Sequence, residues 1–215
     1  IFENNIATAD SLYDIGIRSI TLMNNVHDRL GRRKNSSEVT LTDFGKKIIR
    51  RMNELGMLID ISHLSDRMQA AVIEFSKAPV IASHSPLRGV VDRKRNIPDH
   101  ILKKIAQKNG AVMINFSSLD LAELETGRTT VSSLIDHIDH AVSVAGENCV
   151  GIGSDYGGGG TRSPHGLENA SGFLNITRSL LQRGYTENRI KKIMGINYLN
   201  LLNKVENHAD TQEIE

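Results

Sequence analysis

Short apolar runs alternate with helical patterns along most of the chain. Five runs read as strands: Ser19 to Met23, Met57 to Ser62, Val80 to Ser83, Ala111 to Phe116 and Cys149 to Ser154. They are nearly all apolar and lack the in–out alternation of a half-exposed strand. Between them apolar residues recur at helical spacing. Asn4 to Ile15 predicts a helix through Ile6, Leu12 and Ile15, stopped by Gly16. Leu41, Phe44, Ile48, Met52 and Leu55 predict another, capped by Thr40 and ended by Gly56. Ser65 opens a third across Met68, Val72 and Phe75. Pro98 starts the helix of Ile101, Leu102 and Ile105, which Gly110 closes. Val131, Leu134, Ile135, Ile138 and Val142 mark a fifth, stopping at Gly146. Helices near Ser171 to Gln182, Glu187 to Met194 and Tyr198 to Val205 follow. The polar stretches from Asn24 to Ser37 and from Leu87 to Asn96 read as loops.

Apolar strands separated by helices predict an α/β fold with a parallel sheet covered on both faces. An open doubly wound sheet and a closed barrel both satisfy the pattern. A barrel needs eight strands. The five seen here would be about five β/α units of an incomplete TIM-like (β/α) barrel whose N-terminal strands are missing. The chain starts at Ile1-Phe2-Glu3, almost directly into a helical pattern, as expected of a piece of a longer polypeptide. No Pro- or Ser-rich linker divides it. Residues 1–206 read as one partial domain and residues 207–215 as a polar, fraying tail.

Composition narrows the function classes. The net charge is +1, so no strong field steers the chain to nucleic acid or an anionic membrane. Aromatic residues are 4% and Trp is absent, which disfavours base-stacking platforms. No apolar run reaches the roughly 18 residues of a membrane span. Cys149 is the single cysteine, so neither an internal disulfide nor a cysteine-based zinc knuckle can form. The first residues read without a signal-peptide pattern, so none is expected there. The compartment, cytoplasmic or periplasmic, stays open.

The candidate chemistry gathers at strand ends. His63 and His84 terminate two of the runs, about one helix and its turns apart. In a parallel barrel both imidazoles reach the rim where active sites are built, and neutral imidazoles on rigid strands suit a metal. Asp155 ends another run, placed to bind metal, orient water or take its proton; a loop-capping Asp is the structural alternative. Asp60 lies inside its strand, as an orienter of a metal ligand or as a satisfied interior carboxylate. The loop Arg88, Asp92, Arg93, Lys94, Arg95 is either a solvated basic loop or the source of an Arg that clamps a carboxylate. The glycines after Asp155 lack a G-x-G-x-x-G pattern or a Walker Lys, so a nucleotide site is weakly supported. His137 and His140, mid-helix, read as structural. Ser83 and Ser85 lack a nucleophile elbow, and Cys149 reads as an inert buried hydrophobe.

At these residues the sequence resembles the membrane (renal-type) dipeptidases, a zinc metallopeptidase family. The matching segments are Gly16-Ile17-Arg18-Ser19-Ile20-Thr21-Leu22, Leu41-Thr42-Asp43-Phe44-Gly45, Leu58-Ile59-Asp60-Ile61-Ser62-His63-Leu64-Ser65 and Ala78-Pro79-Val80-Ile81-Ala82-Ser83-His84-Ser85. Arg95-Asn96-Ile97-Pro98-Asp99, Val112-Met113-Ile114-Asn115-Phe116 and Gly151-Ile152-Gly153-Ser154-Asp155 continue the series in order. The resemblance implies a TIM-like barrel with two zinc ions, His63 and His84 as metal ligands, Arg95 on the substrate's terminal carboxylate, and Asp155 handling the attacking water and departing amine. It implies hydrolysis of a small dipeptide without a covalent intermediate, and a homodimer, for which the sequence shows no interface.

Some positions depart from the family pattern. Its His-x-Asp pair and bridging Glu would precede Ile1, and Glu3 does not replace the Glu. Asn24 stands where the family has a substrate-binding His; it can donate a hydrogen bond to a developing oxyanion but carries no charge. His27 is a weak substitute. Gly157 replaces a second Asp. Two alternative readings therefore accompany dipeptide hydrolysis: a non-catalytic homologue that binds peptide or a partner, and another amidohydrolase-like metal hydrolase.

Overall fold

The computed structural model describes residues 5–22, 31–35, 38–122, 129–158 and 162–212. Along the chain run α1 (Ala7–Asp14), β1 (Ser19–Thr21), β2 (Gly31–Asn35), β3 (Glu38–Leu41), α2 (Asp43–Glu54), β4 (Leu58–Asp60) and α3 (Asp66–Phe75). Then come β5 (Val80–Ala82), α4 (Asp99–Gln107), β6 (Ala111–Ile114), α5 (Ser118–Leu121), α6 (Val131–Ala145), β7 (Val150–Ile152), α7 (Phe173–Gln182), α8 (Glu187–Lys191) and α9 (Asn197–Gln212).

Five strands form one sheet in the order β1-β4-β5-β6-β7, and every adjacent pair is parallel. The order never reverses. A doubly wound sheet reverses at its switch point, whereas a barrel adds each strand beside the last. The order therefore decides between the two architectures in favour of the barrel. The sheet is open among the described residues, with β1 and β7 at its edges.

Side-chain parity divides the sheet into two faces. Ile59, Ile61, Val80, Ala82, Val112, Ile114 and Val150 join the large core cluster with Ile48, Met52, Val72, Ile105 and Ile138 of the helices. Leu58, Ile81, Ala111 and Met113 point the other way and pack with Leu201 and Val205 of α9. Asp60 and Ser83 share the parity of this second set, one step nearer the strands' carboxyl ends. Gly151 and Gly153 follow the same alternation on β7. A Cβ at Gly151 would lie 2.2 Å from the Met113 sulfur, and one at Gly153 would lie 1.9 Å from the Ser83 carbonyl oxygen. Close packing inside the sheet explains these two glycines.

Several local expectations need correction. Thr42, not Thr40, caps α2, its Oγ1 accepting from the Gly45 amide at 3.0 Å. Part of the expected loop from Asn24 to Ser37 is strand: β2 and β3 pair antiparallel, with a register shift between Arg33 and Asn35. The expected helix from Glu187 to Met194 is split, with α8 passing into a wider turn at Lys192–Ile196. The last helix runs to Gln212, well past the expected end at Val205. Tertiary contacts of α9 with α2 and the sheet hold a segment whose own sequence is polar. The caps expected at Ser65 and Gly146 form as read.

Candidate metal and substrate site

Parallel strands place all their carboxyl ends on one edge, and the residues following β4, β5 and β7 there are His63, His84 and Asp155. His63 has φ 67° and Asp155 φ 57°. Left-handed backbone is uncommon for residues with a Cβ, and it clusters where surrounding structure holds a functional side chain in place. The turn at His63 swings its ring back towards the next strand. Its Nε2 lies 2.8 Å from Nε2 of His84, with ring centroids 4.8 Å apart and planes tilted by 55°.

The neighbouring groups fix His84. Its backbone amide donates to Ser62 Oγ at 3.2 Å. Its Nδ1 lies 2.6 Å from Ser83 Oγ, which donates to Asp60 Oδ2 at 2.6 Å. Asp60 is 1% exposed. It also accepts from Thr21 Oγ1 at 2.6 Å and from the Ser62 and Ser83 amides at 2.9 Å each. Burial alone would raise its pKa. The hydrogen bonds outweigh burial and hold it below the usual carboxylate value. Asp60 is thus a charged, fully satisfied carboxylate that ties β1, β4 and β5 together and touches a predicted ligand through one hydroxyl.

Both imidazoles have pKa values lowered chiefly by burial. The positive charge of Arg95 pushes the same way for each, while Asp60 and Asp155 oppose it. Neutral imidazole is the form that binds a metal. A tetrahedral zinc with bonds of about 2.1 Å sets two nitrogens about 3.4 Å apart. The Nε2 atoms, 2.8 Å apart, need part by only about 0.6 Å to accept one, so the pair fits a zinc ion as two of its ligands. Among the described residues, no group of three or more His, Cys, Asp or Glu side chains is arranged to hold a metal.

Arg95 reaches back over the rim. Its Nη2 donates to the His84 carbonyl at 2.6 Å and its Nη1 to Ser85 Oγ at 3.0 Å. Ser85 Oγ in turn donates to Ser62 Oγ at 3.3 Å, which ties Arg95 to the strands that carry the imidazoles. No carboxylate among the described residues forms an ion pair with Arg95. Burial lowers its pKa against the more distant pull of Asp120, Asp155 and Asp60. A half-buried guanidinium without an anion attached is a ready seat for a substrate carboxylate. Arg88, another candidate of this loop, is occupied: it grips Asp66 at 2.6 and 2.9 Å.

Asp155 is exposed, and its carboxylate folds over Gly158, where an added Cβ would lie 2.1 Å from Oδ1. Its charge acts on both imidazoles and on Arg95. Asn24 and His27 lie outside the described residues. His137 is structural: it is fully buried, accepts from the Leu87 amide at 3.0 Å and faces the Leu121 carbonyl. His140 pairs with Asp99 at 2.8 Å. Cys149 is buried and its thiol pKa is pushed up to about 12, as expected of an inert residue. The sequence reading did not assign Ser83 a role beside His84. The repeated Ser-His pair, Ser62-His63 and Ser83-His84, was the available signal.

Comparison with known proteins shows the family and the fold. The whole chain, residues 1–215, matches the family described as membrane dipeptidase, peptidase family M19. Dipeptidase 3 of Mus musculus is 35% identical over 212 residues, covering 95% of this chain and 42% of the mouse protein. The chain spans a little under half the length of the curated relatives it matches. An amidohydrolase from Pseudomonas aeruginosa superposes with a TM-score of 0.87 at 27% identity, over 96% of this chain and 70% of that one. A metallo peptidase from Rhodobacter sphaeroides, liganded with a phosphinate mimic of the dipeptide L-Ala-D-Ala, gives 0.85 at 26% identity, over 94% and 60%. Family match and barrel topology converge on one statement: the chain belongs to the membrane dipeptidases, a family of metallo-dipeptidases that hydrolyse peptide bonds.

Proposed function

We propose that this chain provides the carboxyl-terminal part of a zinc dipeptidase site, with a short peptide bearing a free carboxylate as substrate. The observation that carries this is the convergence of the His63 and His84 Nε2 atoms, 2.8 Å apart, beside a half-buried Arg95 that forms no ion pair with a described carboxylate. His63 and His84 would hold the metal. When bound, zinc polarises a carbonyl and makes water acidic enough to attack near neutral pH. Arg95 takes the substrate's terminal carboxylate in a two-pronged grip, which fixes the scissile bond at one distance from the imidazoles and selects short peptides. Asp155, on its exposed left-handed turn, accepts the proton of the attacking water and returns it to the departing amine nitrogen. Asn24 contributes a hydrogen bond to the oxygen that gains charge. No side chain forms a covalent bond to the substrate. The Rhodobacter structure, with its dipeptide mimic, supports a peptide of this size.

Titration of the zinc-loaded chain with a dipeptide and with its carboxyl-terminal amide tests the reading. The free acid should bind about tenfold or more tightly than the amide, as a charge-assisted bidentate contact requires. Arg95→Ala should abolish the preference, and His63→Ala with His84→Ala should abolish zinc binding. Equal affinity for acid and amide would sink the proposal. The two-imidazole set among the described residues also favours a second reading, peptide binding without catalysis. Tight dipeptide binding by a zinc-saturated protein with no turnover would select it.

A further inference from the structure

The contacts behind His84 say which of its nitrogens carries the proton. Asp60 is ionised and can only accept. It sits 2.6 Å from Ser83 Oγ, so the single hydroxyl proton of Ser83 must point at Oδ2. Were that proton turned to the imidazole instead, two oxygen lone pairs would face each other at 2.6 Å in a buried site. Ser83 Oγ therefore has only lone pairs to offer His84 Nδ1, also 2.6 Å away. A neutral imidazole meets such an acceptor with its Nδ1–H.

We infer that Ser83 is a positioning residue: its hydroxyl passes the charge of Asp60 to His84, fixes the Nδ1–H tautomer and leaves the Nε2 lone pair facing His63, ready for a cation. This rests on the metal-site reading above and adds the residue that prepares it. A histidine side chain in water prefers the proton on Nε2, which here would turn a proton, not a lone pair, towards the cation. Carboxylates and carbonyls commonly set this choice for ligating histidines directly. Here the carboxylate accepts from Thr21 of β1 and from Ser83, and the Ser83 hydroxyl stands between it and His84. A consequence follows for His63. In the metal-free protein its Nε2–H donates to the His84 lone pair across 2.8 Å. Cation entry requires that proton to leave Nε2 for the exposed Nδ1, while His84 stays as it is.

Nitrogen-15 NMR of the histidine-labelled chain, without and with zinc, reads both rings directly, with His84→Gln assigning the signals. The metal-free protein should show His84 protonated on Nδ1 and His63 on Nε2. Zinc should move only the His63 proton. Ser83→Ala should turn His84 to its Nε2–H form and weaken zinc binding about tenfold, in line with other outer ligand-orienting contacts. Ser83→Thr, which keeps the hydroxyl, should restore both. Thr21→Ala removes a partner of Asp60 outside the relay and should leave the His84 tautomer unchanged. An Nε2–H form of His84 in the unsubstituted protein overturns the inference, as does a Ser83→Ala protein that keeps Nδ1–H. A Thr21→Ala shift equal to that of Ser83→Ala overturns it too. The tautomer is read without metal, so its failure removes the relay alone. Absence of zinc binding by the unsubstituted chain instead removes the metal-site reading.

Discussion

Gly153 lies where β7 leads into Asp155, and its missing side chain sets how closely two strands approach. A methyl there would meet the Ser83 carbonyl oxygen at 1.9 Å and Met113 Cβ at 2.8 Å. Backbone cannot rotate away as a flexible side-chain tip can. Gly153→Ala should therefore destabilise the chain by about 3 kcal/mol, at the upper end of overpacking effects. It should also weaken zinc binding, because Ser83 moves first. Urea unfolding and a zinc titration check the two effects together. His137 gives a pH prediction at the same scale. Burial lowers its pKa from 6.5 to about 4. The folded state then binds fewer protons than the unfolded one in that interval, so the contribution is present above pH 6.5 and is lost as pH falls towards 4. Between pH 7 and pH 5 the loss is about 2 kcal/mol. His137→Gln should flatten the fall in the urea midpoint over that range, while lowering stability at pH 7 through imperfect replacement of the Leu87 contact. An unchanged pH slope would count against the assignment. Asp60 does not confuse the test, since its lowered pKa acts only below the ordinary carboxylate value.

The helices depend on a few end residues, and these were mostly legible in the sequence. Ser65, Pro98 and Gly146 stand at the ends their chemistry predicts, because a hydroxyl acceptor, a fixed φ and a Cβ-free turn act locally. Thr42→Ala should remove the acceptor for the Gly45 amide and lower stability by about 1 kcal/mol, with little change in zinc binding. Thermal unfolding measures it; a loss below a few tenths would assign the cap to other groups. The choice of Thr42 over Thr40 was not legible, since either threonine can cap and only the end of β3 at Leu41 separates them. The β2–β3 hairpin escaped for a similar reason. Gly31-Arg32-Arg33-Lys34-Asn35 has low strand propensity and no alternation, and its partner strand supplies the pairing that the sequence does not announce.

At the scale of the molecule, the chain is a run of β/α units whose sheet, among the described residues, ends at two unpaired edges, β1 and β7. Strand edges with free backbone donors and acceptors attract other strands. The 215-residue chain should therefore self-associate, with sedimentation showing concentration-dependent species above the monomer. A monomer at all concentrations would show that other parts of the chain cover the edges. No helix among the described residues is long and apolar enough to cross a membrane.

Local patterning determined the five strands of the parallel sheet, most of the helices and which residues stand at strand ends, since periodicity and capping depend on near neighbours. It also placed His63, His84 and Asp155 as candidates, while Arg95 was singled out within its basic loop only by the family resemblance. Tertiary structure alone decided the rest. The unreversed strand order selects a barrel because it depends on which strands pair, and pairing is non-local. The meeting of two imidazoles 21 positions apart depends on a left-handed turn at His63. The bond from Asp60 through Ser83 to His84 joins groups 23 positions apart. Each of these is a contact that only close approach in space creates.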